Sequence, residues 1–227
     1  MKNLILAGGG DEKDSKPLDK LFISLIPKNK KILYLPIAWK TGDFESCKKW
    51  FTSTFSELGF TDIEMWTELS DKKYADLVDF GGIYIGGGNT FSLLNDLRTS
   101  GFDKSLKKFI QSGKPVYGGS AGAIIFGKDI RTAFFGTDPD ENIVKLKDFS
   151  GFNLIQGYTI QCHYEPNQER ELSKFSKENN LPVIALSERS GLHITNLEIK
   201  IIGFDPAYIF EKGSKKTLKP NSKLDLS

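Results

Sequence analysis

The chain has 227 residues, of which 31 are basic and 29 acidic, for a formal net charge of +2, with 39% hydrophobic and 26% charged residues. That is enough for one large α/β domain and too little for two generous ones. The near-neutral balance leaves no electrostatic footprint for nucleic acid. The lysines are spread along the chain, and Lys28-Asn29-Lys30-Lys31 and Lys215-Lys216 read as solvated loops. No apolar segment approaches the ~20 residues that span a bilayer. The apolar run at 4–7 is also shorter than the roughly 7–15 residues of a secretory h-region. Cys47 and Cys162 lie far apart without metal-like spacing, so both are expected to be reduced thiols of a cytoplasmic protein. Two histidines, His163 and His193, are too few for a His-rich metal site; no metal, cofactor, membrane or nucleic-acid partner is expected.

Residues 4–7 read as a first strand ending in Gly8-Gly9-Gly10, by default a plain strand–helix connection. Residues 17–26 carry Leu18, Leu21, Phe22, Leu25 and Ile26 on one helical face. A second strand at 31–36 holds the continuous apolar run Ile32-Leu33-Tyr34-Leu35. Over 43–58, Phe44, Cys47, Phe51, Phe55 and Leu58 recur every three or four residues, and Gly59 is a natural helix stop. A third strand is predicted at 62–66, a short helix at 74–79, and a fourth strand at 82–85 that runs into Gly86-Gly87-Gly88. Helices at 90–98 and 103–112 and a strand at 115–117 follow. Apolar strands alternating with amphipathic helices imply a mostly parallel sheet covered on both faces, with sites at the carboxyl ends of strands. Beyond residue 125 come an acidic, turn-rich segment at 134–144, a strand at 158–164, a helix at 168–179 and a strand at 183–186. Antiparallel strands are predicted at 191–195, 198–203 and 207–211. The chain reads as a single domain, 1–227, with 212–227 as a short polar tail.

The run Val116-Tyr117-Gly118-Gly119-Ser120-Ala121-Gly122-Ala123 carries the most chemistry. It is a strand feeding a Gly-x-Ser-x-Gly turn and a helix start, the nucleophile elbow that lifts a serine hydroxyl clear of a sheet. A tight turn packing a helix onto a sheet would use the same glycines. A nucleophilic serine needs a base, and the base an orienting partner. His193, in the alternating run Gly191-Leu192-His193-Ile194, reads as structural; His163 closes the apolar run 158–162 at a strand end and is the better base. Asp129, Asp138, Asp140, Glu141 and Asp148 lie between Ser120 and His163, and the spacing alone does not choose among them.

Gly86-Gly87-Gly88-Asn89-Thr90-Phe91, then Gly118-Gly119-Ser120-Ala121-Gly122-Ala123 and the strand-end His163, together resemble peptidase family S51, which holds aspartyl dipeptidases and cyanophycinases. The resemblance runs from the first glycine turn to about Ile194. It implies a flavodoxin-like α/β sandwich related to class I glutamine amidotransferases, with serine in place of their cysteine. It implies Ser120 as nucleophile, His163 as general base, and the amides of Gly88 and Ala121 as oxyanion hole. For the acid it favours Asp138, with Asp140 as second choice, or a dyad with no coupled acid. It further implies a cytoplasmic serine exopeptidase, monomer or homodimer, acting on small peptides. Arg170, in Gln168-Glu169-Arg170-Glu171, would read an N-terminal aspartate carboxylate, with Asn89 also binding substrate. Arg170 equally fits a helix-surface cation paired with Glu165, Glu169 or Glu171. The alternatives are a cyanophycinase-like β-aspartyl peptidase and a non-catalytic binding member of the same fold.

Overall fold

A computed structural model describes residues 2–39 and 42–225. In chain order the elements are β1 (Leu4–Ala7), α1 (Lys16–Ser24), β2 (Lys31–Leu35), α2 (Phe44–Glu57), β3 (Ile63–Met65), β4 (Phe80–Ile85), α3 (Thr90–Thr99), α4 (Phe102–Gln111), β5 (Val116–Gly119) and α5 (Ala121–Ile124). There follow β6 (Thr159–Gln161), α6 (Glu169–Asn179), β7 (Val183–Leu186), β8 (Ser190–Ile194), β9 (Glu198–Gly203), β10 (Ala207–Glu211), β11 (Ser214–Leu218) and β12 (Lys223–Asp225). The segment predicted as a helix at 74–79 is a 3-10 turn, Tyr74–Leu77.

The main sheet has the order β12-β9-β8-β1-β5-β4-β2-β3, and the second β11-β10-β7-β6. From β1 to β3 every pairing in the main sheet is parallel, while β8, β9 and β12 add antiparallel strands beyond β1. In the second sheet β6 and β7 are parallel and β10 and β11 antiparallel. This is the mostly parallel α/β architecture with antiparallel C-terminal strands that the pattern predicts. The expected polar tail is a correction. β11 pairs with β10 along its whole length, and β12 pairs with β9; residues 226–227 lie outside the described residues. β11 (Ser-Lys-Lys-Thr-Leu) buries only Leu218, so hydrophobic patterning cannot find it. Its signal is the turn Lys212-Gly213, with φ of 51° and 84°, the paired left-handed geometry of a two-residue hairpin.

Strand alternation splits the core. Leu4, Leu6, Leu33, Leu35, Ile83 and Ile85 face one side, and Ile5, Ala7, Ile32, Tyr34, Tyr84 and Tyr117 the other. Register sets Tyr34 opposite Tyr84 and Tyr84 opposite Tyr117, a row of tyrosines across three strands. Tyr84 and Tyr117 stack with centroids 4.3 Å apart, Tyr34 stacks on Phe51 at 4.1 Å, and Phe22 of α1 meets Tyr84 and Tyr117 edge-on.

Beside this row α1 buries Asp19, 2% exposed, whose Oδ2 accepts the Ser15 hydroxyl at 2.7 Å. Burial pushes its carboxyl from the ordinary 3.8 up to about 6. The folded chain therefore binds this proton more tightly than the unfolded one, so Asp19's contribution to stability is complete below pH 4 and is lost as pH rises through 6. The difference corresponds to ~3 kcal/mol. Denaturant melts from pH 4 to 7 are expected to show a loss of that order, and Asp19→Asn, which keeps an acceptor for Ser15, to flatten the curve. An unchanged slope in the variant would remove Asp19 as its source.

Candidate active site

β5 runs into Ser120, whose φ of 51° and ψ of −115° put a non-glycine residue in a strained turn. The turn closes because its neighbours lack side chains. A Cβ on Gly118 would overlap the carbonyl of Gly122, and one on Gly122 would overlap the carbonyl of Ile85. The Ser120 amide donates to the Ala7 carbonyl at 3.1 Å, and the Ser120 carbonyl accepts from Ala123 and Ile124 at 2.7 and 3.0 Å as α5 begins. The hydroxyl is thereby presented at the carboxyl edge of the main sheet.

β6 of the second sheet ends two residues before His163, which also adopts a left-handed backbone, φ 50°. Its amide donates to the Gly8 carbonyl at 2.8 Å. Its Nε2 lies 2.9 Å from Ser120 Oγ, and its Nδ1 lies 3.0 Å from Glu188 Oε1. Gly9 makes room for the ring, because a Cβ there, at φ +128°, would overlap the imidazole. The Gly8–Gly10 turn is thus part of the site and more than a strand–helix connection. Gly88, at φ +129°, packs where a Cβ would overlap the Ala38 carbonyl. Neither the Gly88 nor the Ala121 amide donates to a partner among the described residues.

The structure brings Ser120 and His163 together and leaves Asp138, Asp140, Asn89 and Arg170 outside that contact. The carboxylate on His163 is Glu188, in place of Asp138 or Asp140. Glu188 follows β7, the strand that pairs in parallel with β6, so both side chains emerge from neighbouring strand ends. Asp138 lines the cavity without joining this chain of contacts. Asp140 accepts the Thr90 amide at the start of α3 at 2.8 Å, and burial raises its carboxyl above the ordinary value. Asn89 caps α3, accepting from the Ser92 amide at 2.9 Å, and donates to the Glu141 carbonyl at 2.8 Å. Its side chain is a tether between α3 and the acidic loop, and it is not among the residues lining the cavity. Arg170, exposed near the start of α6, borders a separate depression with Lys174, Lys177 and Lys212, away from Ser120. His193 is structural, its Nε2 2.8 Å from Asn3 Oδ1.

Ser120 opens into a cavity of about 1230 Å³. Seven carboxylate residues line it (Asp14, Asp43, Asp138, Asp140, Glu165, Glu188 and Asp205) against Arg189 and the His163 imidazole among the described residues. Arg189 lies 3.6 Å from Asp14 and 3.9 Å from Asp205. Such a lining attracts a positive group and opposes an incoming carboxylate.

A family model described as peptidase family S51 matches residues 4–202. A protein named Peptidase E from Shewanella denitrificans is 30% identical over 199 residues, covering 83% of this chain and 82% of its own length. Another Peptidase E, from a Nostoc species, is 27% identical over 207 residues, covering 86% and 82%. The fold is similar to the crystal structure of a peptidase from an acI-B1 Actinobacterium, with a TM-score of 0.78 at 17% identity, over 100% of this chain and 97% of that one.

Gly9→Ala tests how closely the site is packed. Its methyl group is expected to drive the imidazole off Ser120, slowing fluorophosphonate labelling of that serine by about 100-fold. Labelling at the parent rate would mean that the turn yields without moving His163.

Proposed function

Because the chain belongs to peptidase family S51, we propose that it is a serine-type peptidase cleaving dipeptides or very short peptides through an acyl-enzyme on Ser120. The observation that carries the reading is the line Ser120 Oγ, His163 Nε2, His163 Nδ1, Glu188 Oε1, joined at 2.9 and 3.0 Å. Ser120 Oγ attacks the scissile carbonyl while His163 Nε2 accepts its proton, and the same nitrogen returns that proton to the leaving amine. Water, deprotonated by His163, then attacks the ester and frees Ser120. Glu188 holds the Nδ1–H tautomer and stabilises the imidazolium. The unpartnered amides of Gly88 and Ala121 receive the oxyanion, donors of a kind worth ~3–4 kcal/mol each. The relatives named Peptidase E support a dipeptidase, and the seven carboxylates suit a substrate's free α-ammonium group.

Arg170, the residue expected to read an N-terminal aspartate, does not line the cavity, whose guanidinium is Arg189. A β-aspartyl substrate brings its own carboxylate into the same acidic lining and fits no better. A purely binding role leaves the strained Ser120 and the aligned imidazole without a use.

Release of leucine from a panel of X-Leu dipeptides, abolished in Ser120→Ala, is the expected result. Glu188→Gln should lower kcat/KM by about 10²- to 10⁴-fold through loss of the correct tautomer, with Asp138→Asn close to wild type. The reverse ranking would return the acid's role to Asp138. Silence across the panel, with no fluorophosphonate labelling, would end the peptidase reading.

A further inference from the structure

We propose that Asp205 is a positioning residue for the site's carboxylate, through a turn at 203–205 that clamps the loop aiming Glu188 at His163. The inference rests on the peptidase reading, in which Glu188 orients the imidazole. The Glu188 side chain is 55% exposed, and it stands in a loop, 187–189, outside any strand or helix. The chain crosses there from the second sheet to the main one, between β7 and β8, and returns at 204–206 between β9 and β10. The two crossings are bonded to each other on both sides of Glu188. Before it, the Ser187 hydroxyl donates to Asp205 Oδ2 at 3.1 Å and accepts the Arg189 amide at 3.3 Å. After it, the Arg189 carbonyl accepts the amides of Phe204 and Asp205 at 2.8 and 3.3 Å. Gly203, at φ +120°, is shaped to the same carbonyl, which a Cβ there would overlap. The Arg189 guanidinium closes the clamp from outside, 5.1 Å over the Phe204 ring and 3.9 Å from Asp205 Oδ1.

A half-exposed carboxylate on a loose loop has backbone and side-chain freedom to lose before it can hold an imidazole. With both neighbours tied to a second crossing, only the torsions of the Glu188 side chain remain to be set, and supporting bonds of this kind keep a reacting constellation in register. Pro206 stiffens the clamp further, because the residue before a proline is restricted to extended backbone. Asp205 also lines the cavity. A direct contact with the peptide and an action through Glu188 therefore have to be told apart.

A double-mutant cycle separates them, with the rate of fluorophosphonate labelling of Ser120 as its readout. Asp205→Ala is expected to slow labelling about tenfold in the parent, and less than about twofold once Glu188→Ala has removed the group it positions. Asp205→Asn keeps an acceptor for Ser187 and should stay within about threefold of the parent, while Ser187→Ala should match Asp205→Ala. These two variants decide the matter should Asp205→Ala fail to fold. The imidazole nitrogen shifts, measured by NMR with the ring neutral, give a readout that needs no reaction. The parent is expected to hold His163 as the Nδ1–H tautomer, and Asp205→Ala to move it toward Nε2–H. Equal losses with and without Glu188, or a tautomer unmoved by Asp205→Ala, would overturn the clamp. A parent that neither labels nor cleaves would instead end the peptidase reading, and the tautomer would still judge the clamp.

Discussion

The end of β1 is the joint on which the site depends. There the Ala7 carbonyl accepts the Ser120 amide at 3.1 Å and the Gly8 carbonyl accepts the His163 amide at 2.8 Å. The His163 ring lies over Gly9, where no side chain fits. Ser120 comes from the main sheet and His163 from the second, and these three consecutive residues hold both. A hydroxyl and an imidazole on separate sheets keep a 2.9 Å separation only if their backbones are anchored to common atoms. The anchoring must also outweigh two left-handed non-glycine residues, at φ 51° and 50°, strain of order 1–3 kcal/mol each. Parallel strands buried on both faces supply a frame stiff enough to hold them.

Much of this was legible from residue order, for a physical reason. Buried parallel strands read as short apolar runs, and the elbow needs glycine at fixed offsets, so 4–7, 31–36, 82–85 and Gly118–Gly122 announce themselves. What escaped depends on pairings that no local window contains. Glu188 reaches His163 because β6 lies beside β7 in parallel, and its residues, Leu186-Ser187-Glu188-Arg189, carry no motif. The expected acids lie between Ser120 and His163 in sequence, whereas the carboxylate beside the imidazole lies 25 residues beyond the histidine. The position just past the strand paired with the histidine's own was the available signal.

The misplacement of Arg170 and Asn89 has the same origin. Arg170 begins a helix after His163, but α6 turns it toward Lys174 and Lys177 and away from the cavity. Asn89 stands beside Gly88, yet its Oδ1 accepts from Ser92 and its Nδ2 donates to Glu141. That use is itself informative. The cap fixes α3 and the bond to Glu141 draws in the acidic loop, so Asn89 holds in place the turn that presents Gly88.

One face of the parallel sheet thus serves two ends. Below, Tyr34, Tyr84 and Tyr117 pack against Phe22 and Phe51 as buried core; above, Gly86 and Gly119 continue the same strand face to the edge that carries Ser120. A substitution that shrinks the row would loosen α1 and α2, and one at Trp50 would disturb the same row, because its ring meets Phe51 and Tyr84 edge-on. The packed row thereby holds β4 and β5 in register, and with the β1 joint it fixes the strand ends from which Ser120 is presented.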